Sequence, residues 1–320
     1  MPKIVQLSAY GGVDQLKIVD VAKPAPRADE VVVRVVAAGT NPGEISIREG
    51  LLKDMFPMNF PFGEGADFSG RVDAAGAGVT DFAAGDEVLG WSEQRSAQAE
   101  YVAISASQVI AKPPSLDWFR AGSLHVVAST AVAAVRAVAL KPGDIVAVSG
   151  AAGGVGSLAV QLARRSGARV IGIASESNAA FLSSLGVEPV AYRDGLAQRL
   201  KAVAPKGLDA FIDLFGGGYV DLAIALGIPP ERINTIIDFA AAQKYGVRTD
   251  GSAAASSRET VASVANLIAW GEIVMPLTAI YPFAMVREAY EELARRKARG
   301  KIVLALDPRI TAPIRPTKTV

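Results

Sequence analysis

The sequence predicts an α/β protein in which a β-rich part is combined with a doubly wound parallel sheet. Over the first 110 residues, short runs of β-branched and aromatic residues recur between Gly, Pro and Asp. From about Ala121, apolar strand-like runs alternate with segments of helical period, which is typical of parallel βαβ units. The chain has 320 residues, enough for two domains, and its residues are 50% hydrophobic and 20% charged, as expected of a globular protein.

The first part is predicted to contain five strands. They cover Lys3 to Leu7, Glu30 to Ala38, Phe68 to Asp73, Glu87 to Trp91 and Tyr101 to Ile104. In the second strand, Val31, Val33 and Val35 fall on one face. Glu30 and Arg34 fall on the other face. This alternation predicts a half-exposed strand of an antiparallel sheet or partial barrel.

The second part is predicted to alternate strands with helices. The strands are Ile145 to Ser149, Arg169 to Ala174, Pro189 to Tyr192, Ala210 to Leu214 and Thr235 to Ile237. The helices between them are Val155 to Ser166, Ala179 to Leu185 and Leu196 to Ala204. After Ser257 we expect helices over Arg258 to Trp270 and Phe283 to Arg299, a last strand over Lys301 to Leu306, and a loosely held tail from Thr311 to Val320.

The inventory of side chains excludes several kinds of site. The chain has no cysteine and one histidine, His125, so a zinc site with two cysteine or histidine ligands cannot be built from one chain. Disulfides and cysteine nucleophiles are excluded, and Ser-His-Asp chemistry could run only through His125. Because His125 lies in an apolar, helix-like stretch, a core or interdomain histidine is favoured over a catalytic one. A magnesium or calcium site made only of carboxylates stays open.

The charge pattern indicates neither nucleic acid nor a membrane as a partner. Lysine plus arginine number 33 against 32 acidic residues, and no long run of one sign occurs. The most apolar region, Val126 to Leu140, contains Arg136 and is too short to span a bilayer. The first residues lack the apolar stretch of a signal peptide, and no disulfide requires an oxidising compartment, so we expect a cytoplasmic protein.

The strongest chemical signal is a glycine-rich turn between the strand that ends at Ser149 and the helix after it. Gly150, Gly153 and Gly156 form G-x-x-G-x-x-G instead of G-x-G-x-x-G. Missing side chains let the backbone approach a pyrophosphate, whose charge is stabilised by the N-terminus of a helix. Strand, turn, helix and second strand follow one another within about 30 residues, the context that this motif requires. We therefore predict that a dinucleotide binds at Gly153, Gly154, Val155 and Gly156, with a purely structural turn as the alternative.

The end of the second strand bears on the choice between NAD and NADP. A carboxylate there would bond the ribose 2′-hydroxyl and repel a 2′-phosphate, but Ser175 holds this position and Glu176 comes one residue later. Ser175 and Asn178 leave room for a 2′-phosphate, and Tyr192 with Arg193 could add donors. The alternative is that Ser175 or Asn178 only caps the next helix. NADP is favoured, and Glu176 is the residue that speaks for NAD.

Four segments together resemble a known family. They are the Asn41-Pro42 stretch, PFGEGADFSGRVDAAGAGVTDFAAGDEVLG, KPGDIVAVSGAAGGVGSLAVQLA, and GKIVL near the end. The chain resembles the zinc-independent quinone oxidoreductase (zeta-crystallin-like) branch of the medium-chain dehydrogenase/reductase superfamily. The resemblance implies a GroES-like catalytic domain from residues 1–121 and 256–320, an inserted Rossmann NADP-binding domain from residues 122–255, and usually a homodimer.

The resemblance also implies chemistry without a metal. Zinc-dependent relatives have Gly-His-Glu where this chain has Gly65-Ala66-Asp67, so the position of the histidine ligand is Ala66. Without a Lewis acid, the acceptor of the hydride must spread the incoming charge itself, as a quinone or another conjugated carbonyl does. The family therefore implies hydride transfer from NADPH to a conjugated small-molecule acceptor.

Several residues take expected roles from the resemblance. Asn41 is expected near the nicotinamide, where it could orient the ring or the substrate carbonyl; an Asn-Pro turn is the alternative. Thr130 is expected to contact the cofactor, with core packing as the alternative. Ser175 with Tyr192 matches positions around the 2′-phosphate. Phe239 lies in the loop after Ile237, beside the nicotinamide, and the sequence of this loop departs from that of the family.

Three functions remain open at this stage. The first is an NADPH-dependent reductase of quinones or enones. The second is an enoyl or 2-alkenal reductase that acts on a biosynthetic intermediate, and the third is a nucleotide-binding protein with little turnover. Aromatic residues that could line a substrate pocket are Phe56, Phe60, Phe62, Trp91 and Phe239.

Overall fold

The computed structural model describes residues 1–310, so the prediction for the tail from Thr311 to Val320 lies outside the described residues. Its strands are β1 (Lys3–Leu7), β2 (Lys17–Asp20), β3 (Glu30–Gly39), β4 (Phe62–Gly63), β5 (Asp67–Ala75), β6 (Glu87–Trp91), β7 (Tyr101–Ser105), β8 (Val109–Ala111), β9 (Ile145–Ser149), β10 (Arg169–Ala174), β11 (Glu188–Ala191), β12 (Ala210–Asp213), β13 (Ile233–Thr235), β14 (Leu277–Pro282) and β15 (Lys301–Ala305).

The helices are α1 (Pro42–Arg48), α2 (Trp118–Ala121), α3 (His125–Ala137), α4 (Gly154–Arg165), α5 (Ala179–Ser184), α6 (Leu196–Val203), α7 (Tyr219–Ala225), α8 (Phe239–Tyr245), α9 (Arg258–Ala269) and α10 (Val286–Ala294). No helix within residues 1–310 is both long and apolar enough to cross a membrane.

The chain folds into two compact units. The first consists of Met1–Val126, Ser257–Glu272 and the described residues from Leu277 onward. The second consists of Val127–Ser256 and Ile273–Pro276.

The first unit is built on β-sheets. Its larger sheet has the order β14-β15-β3-β5-β6-β8, and β7 also pairs with β3. Only β14 and β15 are parallel in this sheet; the remaining pairs are antiparallel. A smaller antiparallel sheet has the order β2-β1-β4. The last strand, β15, pairs with β3 through Val303 and Gly39, so both ends of the chain build this unit.

The strand β3 is buried on both faces, which corrects the half-exposed strand predicted from its alternation. Val32 and Val36 are as buried as Val31, Val33 and Val35. The reason is the position of β3 in the sheet, because β5, β7 and β15 all pair with it and α2 packs against it. Within this strand, solvent contact is therefore limited to Glu30 and Arg34, which are half-buried.

The second unit is a doubly wound α/β domain with a parallel five-stranded sheet of order β11-β10-β9-β12-β13. The strand order reverses at β9, so the crevice for a ligand is expected at the carboxyl end of this strand. Its core contains Ala147, Ile171, Phe211 and Ile233, which are fully buried.

Two predicted boundaries differ clearly from the structure. β13 ends at Thr235, where the sequence suggested a strand up to Ile237; Ile237 is exposed, and Asp238 after it begins a helix. The helix predicted over Phe283 to Arg299 is shorter, because a 3-10 turn precedes α10 and Arg296 adopts a positive φ of 54° just after it.

Candidate functional site

The glycine-rich turn connects the central strand of the second unit to α4. β9 ends at Ser149, and Gly150 follows with a φ of 59°, in the left-handed region that favours glycine. The N–H of Gly153 donates to the carbonyl oxygen of Gly150 at 3.0 Å, and Gly153 is the N-cap of α4. The first N–H groups of a helix have no partner within it, so this end of α4 can bind an anion.

Gly156 is required by the turn itself. A Cβ at this position would lie 2.1 Å from the carbonyl oxygen of Gly150 and 2.8 Å from the backbone carbon of Ala151. The first turn of α4 therefore packs directly against the backbone of the loop that precedes it. Glycine at 156 allows this close approach, and the helix N-terminus faces the end of β9.

One buried carboxylate joins the ends of three strands in the second unit. Asp213, fully buried at the end of β12, accepts from Ser149 Oγ at 2.6 Å and from Thr235 Oγ1 at 2.8 Å. It also accepts from the N–H groups of Phe215 and Gly216, at 3.1 and 2.9 Å. Sequence reasoning missed this residue, although an aspartate that ends an otherwise apolar strand was a signal.

A cavity of about 320 Å³ lies at the carboxyl ends of β10 and β11. Its polar wall is formed by Ser175, Glu176, Arg193 and Arg199, and apolar residues of β10, β11, α5 and α6 form the rest. Arg193 and Glu176 are exposed and form an ion pair of 3.6 Å. The lining of this cavity therefore contains two guanidinium groups and one carboxylate, a net positive charge.

Arg199 of α6 is a member of this wall that sequence reasoning missed. Its guanidinium donates to the carbonyl oxygens of Ala191, Arg193 and Asp194, at 2.9, 2.5 and 2.6 Å. These bonds fix the loop after β11 in place. Arg199 Nε is buried and has no hydrogen-bond partner within the described residues. No motif marks this arginine, because it belongs to a helix whose pattern is explained by packing alone.

The structure brings Ser175 and Asn178 together. The Nδ2 of Asn178 donates to Ser175 Oγ at 2.8 Å. Asn178 occupies the N-cap position of α5, but neither its side chain nor that of Ser175 makes a capping bond to the backbone. Tyr192 follows β11 with an exposed ring, and its N–H donates to the carbonyl oxygen of Ala174 at 3.1 Å. Ser175 lines the cavity, whereas Asn178 and Tyr192 lie beside its wall.

Thr130 and Phe239 lie on helices of the second unit. Thr130 is buried on α3. Phe239 is the first residue of α8 and is exposed. The structure thus corrects the loop expected after Ile237, because Asp238 caps a helix there and accepts from the N–H of Ala241 at 3.1 Å.

In the first unit, a buried polar cluster surrounds Asn41, the N-cap residue of α1. We define the Asn41 cluster as Asn41, Glu44, Asp67 and Lys301, each 5% exposed or less. Asn41 Nδ2 donates to Glu44 Oε1 at 3.1 Å and to Asp67 Oδ2 at 3.0 Å, and Lys301 Nζ donates to Asn41 Oδ1 at 2.5 Å. The oxygen of the amide thus faces the ammonium group and its nitrogen faces the carboxylates, so its orientation is determined by charge.

This arrangement limits what Asn41 can offer to a ligand. Both hydrogens of its amide are used by Glu44 and Asp67, so only the second lone pair of Oδ1 is left for a further bond. Asn41 can accept a hydrogen bond from a ligand, but it can donate one only if a bond to a carboxylate is broken.

Glu44 is held by four donors. Besides Asn41 Nδ2, it accepts from the N–H of Asn41 at 2.7 Å, from the N–H of Ala66 at 3.0 Å and from Tyr290 Oη at 2.6 Å. Burial, together with the neighbouring carboxylates of Glu44 and Glu64, raises the pKa of Tyr290 well above its ordinary value. Tyr290 therefore remains a hydrogen-bond donor to Glu44 throughout the neutral range.

Lys301 and Asp67 balance each other's charge. Lys301 Nζ also donates to the carbonyl oxygen of Thr40 at 2.8 Å and lies 3.6 Å from Asp67. Burial lowers the pKa of Lys301, against the opposing effect of Asp67. Burial is also the largest effect on Asp67 and raises its pKa, but His125, Lys301 and Asn41 together outweigh it and lower the pKa below its ordinary value. Asp67 is therefore a buried anion.

Glu64 lies next to this cluster and is paired with the buried Arg48 at 3.3 Å. Burial, and then the nearby charge of Glu44, raises the pKa of Glu64 to about 8, although Arg48 and the N–H of Gly65 act in the opposite direction. The guanidinium of Arg48 also stacks over the ring of Tyr290 at 4.8 Å. At neutral pH, Glu64 is thus held mainly as the neutral acid.

His125 is buried beside Asp67. Its ring stacks on that of Trp91, with 4.4 Å between centroids and 6° between planes, and its Nδ1 lies 3.7 Å from Asp67 Oδ1. Ala66, at the position of the histidine ligand in zinc-dependent relatives, contributes its N–H to Glu44. Within residues 1–310, no group of three or more His, Asp or Glu side chains is placed to hold a metal ion.

The five aromatic residues proposed as walls of one substrate pocket lie in different parts of the structure. Phe56 and Phe62 line a second cavity, of about 610 Å³, in the first unit. Phe60 packs edge-on against Tyr10 at 5.1 Å, Trp91 is buried against His125, and Phe239 belongs to the second unit. Of the five residues, the structure brings only Phe56 and Phe62 to one cavity.

Comparison with known proteins assigns both parts of the chain. Residues 27–114 match the alcohol dehydrogenase GroES-like domain, and residues 154–233 match the zinc-binding dehydrogenase domain. A quinone oxidoreductase of Sus scrofa is 28% identical, over 94% of this chain and 97% of that protein. The chloroplastic quinone-oxidoreductase homologue of Spinacia oleracea is 34% identical, over 58% of this chain and 59% of that protein.

Solved structures give the same result. The quinone oxidoreductase of Coxiella burnetii has a TM-score of 0.85 at 29% identity, and the comparison covers 96% of this chain and 99% of that one. The quinone oxidoreductase of Pseudomonas syringae has a TM-score of 0.84 at 27% identity, with 96% and 100% covered. The CurK enoyl reductase has a TM-score of 0.81 at 25% identity, with 96% and 99% covered. The chain therefore belongs to the quinone oxidoreductase branch of the medium-chain dehydrogenase/reductase superfamily and is an oxidoreductase that uses a nicotinamide cofactor.

Proposed function

We propose that this protein reduces a quinone, or a closely related conjugated carbonyl compound, with NADPH as the reductant. The observation that carries the proposal is the glycine-rich turn before α4, in a chain whose relatives over nearly full length include proteins named quinone oxidoreductases. The quinone gains a hydride and one proton and becomes the hydroquinone, while the nicotinamide is oxidised.

The residues of the second unit fit a dinucleotide. The turn carries no side chains at Gly153 and Gly154, and the free N–H groups of α4 point toward this turn. A cavity with two arginines lies at the end of the adjacent strand β10. Gly153, Gly154, Val155 and Gly156 would hold the pyrophosphate. When bound, the cofactor supplies the hydride.

We propose NADPH in preference to NADH because of the cavity wall. Ser175 provides a hydroxyl, and Arg193 and Arg199 provide positive charge for a 2′-phosphate. Glu176 would repel that phosphate, but it is exposed and already pairs with Arg193. Asn178 and Tyr192 complete the proposed subsite from beside the wall.

We propose that Asn41 orients the nicotinamide by accepting a hydrogen bond from its carboxamide. The remaining lone pair of Oδ1 supports this role. The carbonyl of an acceptor needs a donor, which Asn41 could provide only by giving up Glu44 or Asp67. Of the two uses suggested by the sequence, orientation of the ring therefore has the better physical support.

The activity is tested with purified protein, NADPH and a panel of benzoquinones, naphthoquinones and enones, by following the absorbance of the reduced cofactor. We expect quinone-dependent oxidation that persists after dialysis against a chelator, since the chain has no cysteine and one histidine. Turnover lost on chelation and restored by zinc would contradict the metal-free chemistry. Tight nucleotide binding without any turnover would favour a binding protein.

The cofactor preference is tested with Arg193→Ala, which removes one cation from the proposed 2′-phosphate subsite. We expect the KM for NADPH to rise about tenfold and that for NADH to change little, because a charge-assisted hydrogen bond contributes on the order of 1.5–3 kcal/mol. Arg248→Ala is the matched control, because Arg248 is an exposed arginine of the same unit outside the cavity wall. An equal loss for both nucleotides would contradict the proposed subsite.

A second candidate is an enoyl reductase, supported by the likeness to the CurK enoyl reductase over 96% of the chain. An enoyl thioester is also a conjugated acceptor, so the same hydride transfer would serve it. Comparison of kcat/KM for quinones with that for short enoyl thioesters separates the two candidates, and we expect the quinones to be preferred.

The remaining proposals concern assembly and location. We infer that the protein forms a homodimer and acts in the cytoplasm on a freely diffusing acceptor, with support from the family resemblance and from a composition without disulfides. Light scattering coupled to size-exclusion chromatography gives the mass in solution, and a monomer would contradict the first proposal.

A further inference from the structure

The cavity of about 610 Å³ lies wholly within the first unit and is lined mainly by apolar side chains. Ile47, Met55, Phe56, Met58 and Phe62 form its apolar wall. Its volume is within the range of pockets that bind small molecules, about 300–1,000 Å³. Met55 is 54% exposed and Phe56 is 43% exposed, so two large apolar side chains face water around it. Clustered exposure of this kind marks a binding surface.

Three segments connect this cavity to the Asn41 cluster or to residues next to it. The helix α1 begins after Asn41 and carries Ile47 in the cavity wall, six residues later, or about 9 Å along the helix axis. Gly63 lines the cavity immediately before Glu64. Glu93 lines it two residues after Trp91, whose ring stacks on His125. A molecule whose reactive ring lies at the cluster could therefore extend into the cavity.

The charges around the cavity favour a neutral occupant. Its lining contains one acidic residue, Glu93, and one basic residue, Arg95. The guanidinium of Arg95 stacks over the ring of Phe56 at 4.9 Å and is thus already engaged. No surplus of positive charge is present to bind the phosphates of a carrier-linked acyl group. Methionine and phenylalanine side chains adapt to flexible apolar chains and flat rings.

We infer that this cavity binds the apolar side chain of the acceptor, so that the preferred substrate is a quinone with a long alkyl or prenyl substituent. The inference rests on the proposed function. It places the substituent against Met55, Phe56 and Met58 and leaves the quinone ring toward the Asn41 cluster.

The kinetic test compares a decyl-substituted benzoquinone with its methyl-substituted counterpart in the presence of NADPH. We expect kcat/KM to be about tenfold higher for the decyl compound, since each methylene removed from water adds to binding. Met55→Asp should abolish this ratio, because a charge in the wall should lower kcat/KM for the decyl compound much more than for the methyl compound. Met55→Leu should retain the ratio.

The matched control is Leu51→Asp. Leu51 precedes Met55 by four residues, is 72% exposed and does not line the cavity, so the same change of charge there should alter neither substrate. Equal kcat/KM values for the decyl and methyl compounds in the wild-type protein would overturn the inference. So would an equal effect of Met55→Asp and Leu51→Asp.

A binding measurement separates this inference from the proposed function. The dimethyl ether of the decyl hydroquinone cannot be oxidised or reduced under these conditions, and its affinity is measured by calorimetry. We expect the wild-type protein to bind it about tenfold more tightly than Met55→Asp does. If this difference is found but no quinone is reduced, the proposed activity is wrong and the cavity assignment stands. If quinones are reduced and the affinity does not change, the cavity assignment is wrong.

Discussion

A methyl group at position 156 has no room, because its carbon would lie 2.1 Å from the carbonyl oxygen of Gly150. We therefore expect Gly156→Ala to displace the turn, to lower the free energy of unfolding by about 2–3 kcal/mol and to abolish binding of NADPH. Urea denaturation and fluorescence titration measure the two effects. Gly251→Ala is the control, because a Cβ there meets nothing within 4 Å. Normal NADPH affinity in Gly156→Ala would contradict the role of the turn.

Glu64 makes the stability of the protein depend on pH. Its pKa rises from an ordinary 4.5 to about 8 on folding, so the unfolded chain releases this proton at lower pH than the folded protein does. Between pH 5 and pH 8, we expect this residue alone to decrease the free energy of unfolding by on the order of 1 kcal/mol per pH unit as pH rises. Below about pH 4.5 this contribution is constant, because Glu64 is protonated in both states.

The test is Glu64→Gln, which keeps the size of the side chain and removes its titration. Chemical denaturation at a series of pH values should give a flatter profile between pH 5 and pH 8 than the wild-type protein does. Glu291→Gln, at an exposed position of α10, should leave the profile as it is. A wild-type profile that rises with pH over this range would contradict a raised pKa.

Some of these residues could be predicted from the sequence and others could not. The glycines of the turn lie close together between Gly150 and Gly156, and Ala66 lies within a recognisable segment, so local pattern is sufficient for both. Tyr290 and Glu44 are 246 residues apart, and Lys301 and Asn41 are 260 apart. The first contact exists because α10 packs against α1, and the second because β15 pairs with β3. No single-sequence pattern indicates such pairs.

At the level of elements, α8 shows how a comparison with a family can mislead. The segment after Ile237 was expected as a loop because relatives have a glycine-rich sequence there. Its own residues indicate a helix: Asp238 is an N-cap residue, and Gly246 ends the helix with a φ of 71°. These start and stop signals were present in the sequence.

The cap of α8 can be tested by two substitutions. Asp238→Ala removes the acceptor for the N–H of Ala241 and should lower the free energy of unfolding by about 1 kcal/mol. Asp238→Asn keeps an acceptor oxygen and should have a smaller effect. Denaturant titration gives both values, and equal losses in the two variants would indicate that charge, rather than capping, stabilises this helix start.

The bounds of the strands were easier to predict from the sequence than the burial of their faces. β1, β6, β9 and β10 have the bounds that the sequence predicts. The exposure predicted for β3 was wrong, because alternation along one strand does not reveal that three other strands pair with it. Side-chain pattern therefore defines the strand, and topology decides which of its faces are covered.

At the scale of the whole molecule, the fold class follows from the sequence. The strand-like pattern of the first 110 residues and the strand–helix alternation after Ala121 occupy separate stretches of chain.

A ligand that binds only the folded protein must stabilise it, so NADPH at 100 times its dissociation constant should add about 2.7 kcal/mol to the free energy of unfolding. We expect a clear rise of the thermal midpoint with NADPH and a smaller one with NADH at equal concentration. A larger shift with NADH would contradict the assignment of Ser175, Arg193 and Arg199.

The carboxylate of Asp213 has a dynamic consequence. It holds the amide hydrogens of Phe215 and Gly216, at the start of a glycine run in which Gly216, Gly217 and Gly218 all have a positive φ. Glycine runs usually exchange their amide hydrogens with solvent quickly. Here the amides of Phe215 and Gly216 should exchange slowly and those of Gly217 and Gly218 quickly. The change from a rigid to a flexible backbone would then fall between Gly216 and Gly217. The loop after β12 would then be rigid at Phe215 and Gly216 and flexible at Gly217 and Gly218.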